Sequence, residues 1–265
     1  MGARKYIRDK VRDLVLTSLS LKADLLNDSN LLLKPRVQFL YLHHLYDHNI
    51  NDLVRLLDLL IENNFFISYS DAIEKILNSE IDKPYLVFSL DDGFKDCLRI
   101  SEIFNRYDIK ACFFINPFSV SLKNEAEKRK FRINTLNRRN SNNIKYDFLN
   151  WKDIETLQQN NHEVGSHTMA HINVANTRIE QFKDDLYESY NIINSKCGTV
   201  KHFAWPFGRF HHFTGEAYNT VFEAGYYSCA SAVRGCHINS GKRIKNNELL
   251  IRRDKLDLKY MTYFI

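Results

Sequence analysis

Seven short apolar runs recur along the chain, at residues 39–43, 85–90, 110–115, 162–167, 200–205, 226–230 and 249–252. Each is too short to be a stable buried helix and lacks the polar alternation of a half-exposed strand, so each reads as a strand buried on both faces. Between the runs lie stretches with helical spacing. In residues 52–63, Leu53, Leu56, Leu57 and Leu60 fall on one side. Further helices are predicted at 71–77 behind an N-cap at Ser70 and at 94–106. Others run from an Asn150 cap (with Asp153 at the third position) to about 160, from a Thr177-Arg-Ile-Glu180 capping box to about 194, and over 215–224. Parallel strands need connections long enough to hold such helices. The alternation therefore predicts an α/β fold, and seven mostly parallel strands in series predict a distorted (β/α) barrel. In that architecture chemistry gathers where the strands end.

A chain of 265 residues, 44% hydrophobic, can build a sizeable core. One catalytic domain is expected over 35–265, preceded by an N-terminal helical extension at 1–34, with a basic loop insertion at about 118–150. The net charge of +5 is carried entirely by residues 121–150, where Lys123, Lys128, Arg129, Lys130, Arg132, Arg138, Arg139 and Lys145 face only Glu125, Glu127 and Asp147. Such a stretch reads as a solvated loop or as a rim that attracts an anionic glycan. No nucleic-acid motif accompanies it, so nucleic-acid binding is not expected. The five cysteines are odd in number and form no CxxC, which favours reduced thiols. No apolar stretch approaches the ~18 residues of a membrane span. Near the N-terminus Leu14-Val-Leu16 is short, Thr17, Ser18 and Ser20 interrupt it, and no small-residue cleavage site follows. A secretory leader is therefore not expected and a cytoplasmic location is. Ile7, Val11, Leu14 and Val15 fit one helical face among basic residues, which packs on the domain or touches a membrane surface peripherally.

The strand ends carry the chemistry. Asp91 and Asp92 close the run 85–90 and are followed at once by Gly93. Some seventy-five residues on comes Ser166-His167-Thr-Met-Ala-His171. His167 and His171, four apart, lie on one face of a helical turn, where their Cβ atoms would sit about 5–6 Å apart. With Asp92 they make a two-histidine, one-carboxylate set for a single divalent metal ion, zinc first, with cobalt, nickel or iron also suited. Neighbouring strand residues point to opposite sides, but the turn at Gly93 can bring both carboxylates to the mouth. Asp91 is then placed to act as general base on the attacking water. A third patch, Phe203-Ala-Trp205-Pro206-Phe207-Gly208, ends another run. There the Phe207 N–H could stabilise an oxyanion, and Trp205 and Phe207 could stack on a sugar ring.

Taken together these motifs resemble the polysaccharide deacetylase family, the NodB-homology group of carbohydrate esterase family four. Phe88-Ser-Leu-Asp91-Asp92-Gly93-Phe94 is similar to its Asp-Asp motif, Glu163-Val-Gly-Ser-His167-Thr-Met-Ala-His171 to its metal-histidine motif, and Ala204-Trp-Pro-Phe-Gly208 to its third motif. The likeness covers roughly residues 35–255. It implies a distorted barrel and metal-dependent removal of N-acetyl groups from a carbohydrate substrate, with Asp91 as base and Asp92, His167 and His171 as ligands. Two departures stand out. Many members have an Arg where Ala204 stands, to orient the base; here Arg252 or Arg253 could substitute. The commoner branch also keeps a late general-acid histidine, whereas this chain resembles the branch acting on poly-N-acetylglucosamine, which places it near the N-terminus. His43 is the favoured acid and His44 the runner-up. Two other readings are a silent carbohydrate-binding homologue, against which the intact Asp91, Asp92, His167 and His171 argue, and hydrolysis of another non-peptide amide.

Overall fold

The computed structural model describes residues 33–136, 147–256 and 258. The expected N-terminal extension and part of the basic segment, including Arg138, Arg139 and Lys145, lie outside the described residues. The elements run, in order, β1 (Arg36–Leu42), α1 (Ile50–Asn63), β2 (Phe65–Phe66), α2 (Tyr69–Asn78), β3 (Pro84–Leu90), α3 (Cys97–Arg106), β4 (Cys112–Ile115), α4 (Pro117–Ser121), α5 (Glu125–Asn134), α6 (Trp151–Gln159), β5 (Glu163–Ser166), α7 (Ile179–Cys197), β6 (His202–Ala204), α8 (Gly215–Glu223), β7 (Ser228–Ala230), β8 (Leu250–Ile251) and β9 (Arg253–Lys255). The nine strands form one sheet in the order β8-β7-β6-β5-β4-β3-β1-β9, with β2 beside β3. Every pairing between them is parallel. Seven strands were expected. The two extra ones are the short β2 and the split of the last run at Arg252.

That split closes the barrel. β8 pairs with β7 and β9 pairs with β1, so one short segment fills the gap between the two ends of the sheet. Alternation along the strands divides the core in two. Leu40, Leu42, Leu86, Phe88 and Leu90 face the helices, whereas Val37, Phe39, Val87, Cys112, Phe114, Ala204, Ala230 and Ile251 share a second buried cluster. Helix α2 adds Tyr69, Ala72, Ile73 and Ile76 to that second cluster. It plugs the end of the barrel opposite the strand-end motifs.

Local chemistry explains where the predicted boundaries moved. Ser68, not Ser70, caps α2, accepting from the Asp71 N–H. Ser70 turns inward to Glu163. Asn150 and Asp153 form the expected capping box of α6. Thr177 caps nothing. Helix α7 starts after Arg178 with no side-chain cap, and Thr177 Oγ1 donates to the Asn173 carbonyl instead. Phe94 precedes α3 and packs on Phe148. The expected loop after Pro117 is in part helical, with α4 and α5 anchored through Phe131 between Phe118 and Phe148. Among the described residues no helix is long and apolar enough to cross a membrane.

Candidate active site

Strand β3 delivers the two carboxylates. The Asp91 N–H extends the ladder by donating to the Leu42 carbonyl at 3.0 Å. Asp92 and Gly93 then both adopt left-handed backbone, φ 73° and 67°, which swings Asp92 back over the mouth beside Asp91. Arg253, wholly buried, grips Asp91 through two parallel bonds of 2.8 and 2.9 Å. Its remaining donors reach Ser89 Oγ at 3.1 Å and the Ser231 carbonyl at 2.8 Å, and its plane lies between the rings of Tyr41 and Phe114. Burial works against ionising Asp91, but Arg253 and then His167 outweigh it and hold the carboxyl below its ordinary range. The other candidate, Arg252, is exposed and gives its backbone N–H to His237. Of the two expected arginines it is therefore Arg253 that holds Asp91.

Asp92 meets the two histidines. Its Oδ1 lies 3.5 Å from His167 Nε2 and 3.3 Å from His171 Nε2. His167 Nδ1 is 2.7 Å from the Ala204 carbonyl, which assigns the proton to Nδ1 and leaves Nε2 to face Asp92. The expected helical turn is absent. Residues 167–171 form an irregular turn with Thr168 and His171 both left-handed, φ 64° and 55°. This folds the two rings edge to face, 5.1 Å apart. The turn is pinned from several sides. Asn116 Nδ2 donates to the His167 and Thr168 carbonyls, and the Met169 N–H donates to Asp185 Oδ1 at 2.8 Å. Ligand atoms of Asp92, His167 and His171 all lie within 4.8 Å of one another, and all three residues are buried. Asp92 Oδ1 is buried and accepts no hydrogen bond. A buried carboxylate oxygen left over between two imidazole nitrogens fits a first-row divalent cation.

A cavity of about 130 Å³ opens over these groups. His43 lines it, while His44 turns away, its Nδ1 3.2 Å from Asp96 and its ring against Phe94 at 3.8 Å. Of the third motif, Trp205, Phe207 and Gly208 line the cavity and Pro206 is buried behind them. Trp205 is 2% exposed and stacks on Phe213 at 4.5 Å, so its ring is already occupied by protein. Phe207 is 44% exposed, stands edge-on to His171, and holds a left-handed φ of 64°. A Cβ on Gly208 would come within 2.2 Å of Ala232, so the loop depends on that glycine. Tyr41 and Leu136 complete walls that the sequence reading did not mark. Asn116, at the end of β4, carried the same strand-end signal as the acids; Asp185 carried none. A larger cavity, about 360 Å³, sits at the opposite end beside Glu163 and His202, and none of the predicted site residues lines it.

Comparison with known proteins bears on this geometry. Residues 78–227 match the family model for polysaccharide deacetylase. Among solved structures, IcaB from Ammonifex degensii superposes with a TM-score of 0.64 at 14% identity, over 87% of this chain and 96% of its own. A de-N-acetylase from Aggregatibacter actinomycetemcomitans gives 0.62 at 18% identity, over 87% of this chain and 100% of its own. The Streptococcus pyogenes deacetylase PplD, in complex with acetate, gives 0.65 at 13% identity, over 86% and 98%. At these identities the structures share a fold. No curated protein matches the sequence.

Proposed function

This chain belongs to the polysaccharide deacetylase family, and from that premise we propose that it is a metal-dependent hydrolase that removes N-acetyl groups from an amino sugar of a glycan or glycolipid. The observation that carries this reading is the division of labour between neighbouring carboxylates. Asp91 has both oxygens held by Arg253, whereas Asp92 offers an unbonded oxygen between two imidazole nitrogens. Asp92, His167 and His171 hold a divalent cation, zinc first. When bound there, the cation supplies a Lewis acid for the acetyl carbonyl and acidifies water.

The chain's own groups do the rest. Asp91, kept ionised and aimed by Arg253, takes the proton of the attacking water. His43, which lines the same cavity as the metal ligands, gives a proton to the departing amine nitrogen. The Phe207 N–H, in the cavity wall, donates to the carbonyl oxygen as it gains charge. The exposed Phe207 ring supports the sugar, while Trp205 shapes the wall from behind. Two of the structures that share the fold, a de-N-acetylase and a deacetylase in complex with acetate, support an acetamide as the group cleaved.

The test is acetate release by metal-loaded and chelated protein from a panel of N-acetylhexosamine oligomers, with Asp91→Asn beside them. Release that needs metal and falls about a thousandfold in Asp91→Asn is expected. Tight binding of one metal per chain with no release from any N-acetylated sugar would overturn the reading.

A further inference from the structure

The turn between the two metal-ligating histidines is strained and over-determined. Left-handed backbone costs a residue with a side chain about 1–2 kcal/mol, and both Thr168 and His171 adopt it. A free chain of this sequence would relax. Two side chains from separate elements prevent that. Asn116, at the end of β4, bonds the carbonyls of His167 and Thr168, and Asp185, on α7, receives the Met169 N–H at 2.8 Å. Both cost the fold something. Asn116 is fully buried and its Oδ1 accepts no hydrogen bond. Among the described residues no cation pairs with Asp185. Its burial pushes the carboxyl up to about 6, against the pull of the Met169 and Ala170 amides. A buried half-satisfied amide and a half-buried carboxyl without a cation are poor stabilisers. What they do have in common is the turn on which His171 stands.

We propose that Asn116 and Asp185 are positioning residues for the metal: they clamp residues 167–171 from two separate elements and thereby set where His171 meets Asp92. The inference rests on the reading of Asp92, His167 and His171 as metal ligands. Neither residue touches the cavity, so neither is a catalytic group. Their contribution is geometric, as for the outer partners that orient ligands in other metal sites.

The experiment measures zinc affinity by competition with a chromophoric chelator, together with the visible spectrum of the cobalt form and the melting temperature of the metal-free protein. Asp185→Ala is expected to weaken zinc binding about 10–100-fold and to alter the cobalt bands. Asp185→Asn should bind within about threefold of wild type, because an amide oxygen accepts from the same N–H. If Asp185→Ala does not fold, Asn116→Ser carries the same expectation. Zinc affinity and cobalt spectrum unchanged in the folded variants, with only the melting temperature lowered, would overturn the clamp. So would an Asp185→Asn as weak as Asp185→Ala, since charge rather than geometry would then be responsible. Wild-type protein that binds no zinc would instead remove the ligand assignment on which the clamp rests.

Discussion

Each end of the barrel sets a carboxylate against histidine, yet the two are opposite in character. At the plugged end Glu163 receives the Ser70 N–H at 3.0 Å, the Ser70 hydroxyl, and His202 Nε2 at 3.1 Å. The other nitrogen of His202 pairs with Ser228 Oγ at 2.9 Å. Every side-chain polar atom of these four residues has a partner, and none of the four has left-handed backbone, although the neighbouring Tyr69 hydroxyl and His162 Nε2 are buried without one. At the open end Asp92 Oδ1 and His171 Nδ1 are buried without hydrogen bonds, and Asp92, Thr168, His171 and Phe207 are all left-handed. The residue types are the same. One set is spent on holding strands together, whereas the other keeps its bonding capacity in reserve at the cost of strain. Unmet capacity on a carboxylate and an imidazole that face each other across left-handed backbone, more than the presence of Asp and His, marks the open end.

The contrast can be broken first at Arg253, which belongs to the open end but is fully satisfied. Arg253→Met strands the Asp91 carboxylate in a buried site and is expected to cost about 3–5 kcal/mol in chemical denaturation, along with most of the activity. A variant as stable as wild type would show that Asp91 does not depend on this pair. The plugged end should behave differently. Burial opposes ionisation of Glu163, but His202 and Ser70 overcome it and hold the carboxyl down to about 2. Stability from this group is thus present above its ordinary value near 4.5 and is lost as pH falls towards 2. Glu163→Gln should remove about 3 kcal/mol near neutrality and flatten the stability profile between those limits, with kcat unchanged. A fall in kcat without loss of stability would erase the distinction between the ends. The adjacent histidines give the finest comparison. His43→Ala should lower kcat about a hundredfold and leave melting nearly unchanged. His44→Ala should lose about 1 kcal/mol of stability with kcat intact. Reversed effects would exchange the two roles.

Much of this was legible in the sequence because strand ends announce themselves. The run 85–90 is apolar on both faces, so the acids that follow it must lie at its exit. Other features needed tertiary facts. Arg252 and Arg253 are neighbours in sequence, and only the break after β8 and the register that pairs Arg253 with Phe39 decide which points inward. Ser68 and Ser70 are equally good caps until Glu163, 93 residues on, claims Ser70. The spacing of His167 and His171 was informative, but the left-handed turn that realises it is imposed by Asn116 and Asp185. These act on backbone groups far along the chain and leave no local pattern. The segment after Pro117 read as loop because α5 buries a single apolar residue, Phe131. One anchoring ring gives no periodicity to detect.

The latch formed by β8 and β9 has a consequence for the order of assembly. During synthesis the acids of β3 leave the ribosome long before Arg253, which is 162 residues downstream of Asp91. Until residues 250–255 emerge, β1 and β7 present open edges and Asp91 has no counter-ion. Ring closure and the pairing of Asp91 with Arg253 are therefore one event. A chain that stops before residue 250 lacks the segment that joins β7 to β1 and leaves the Asp91 carboxylate without its guanidinium partner.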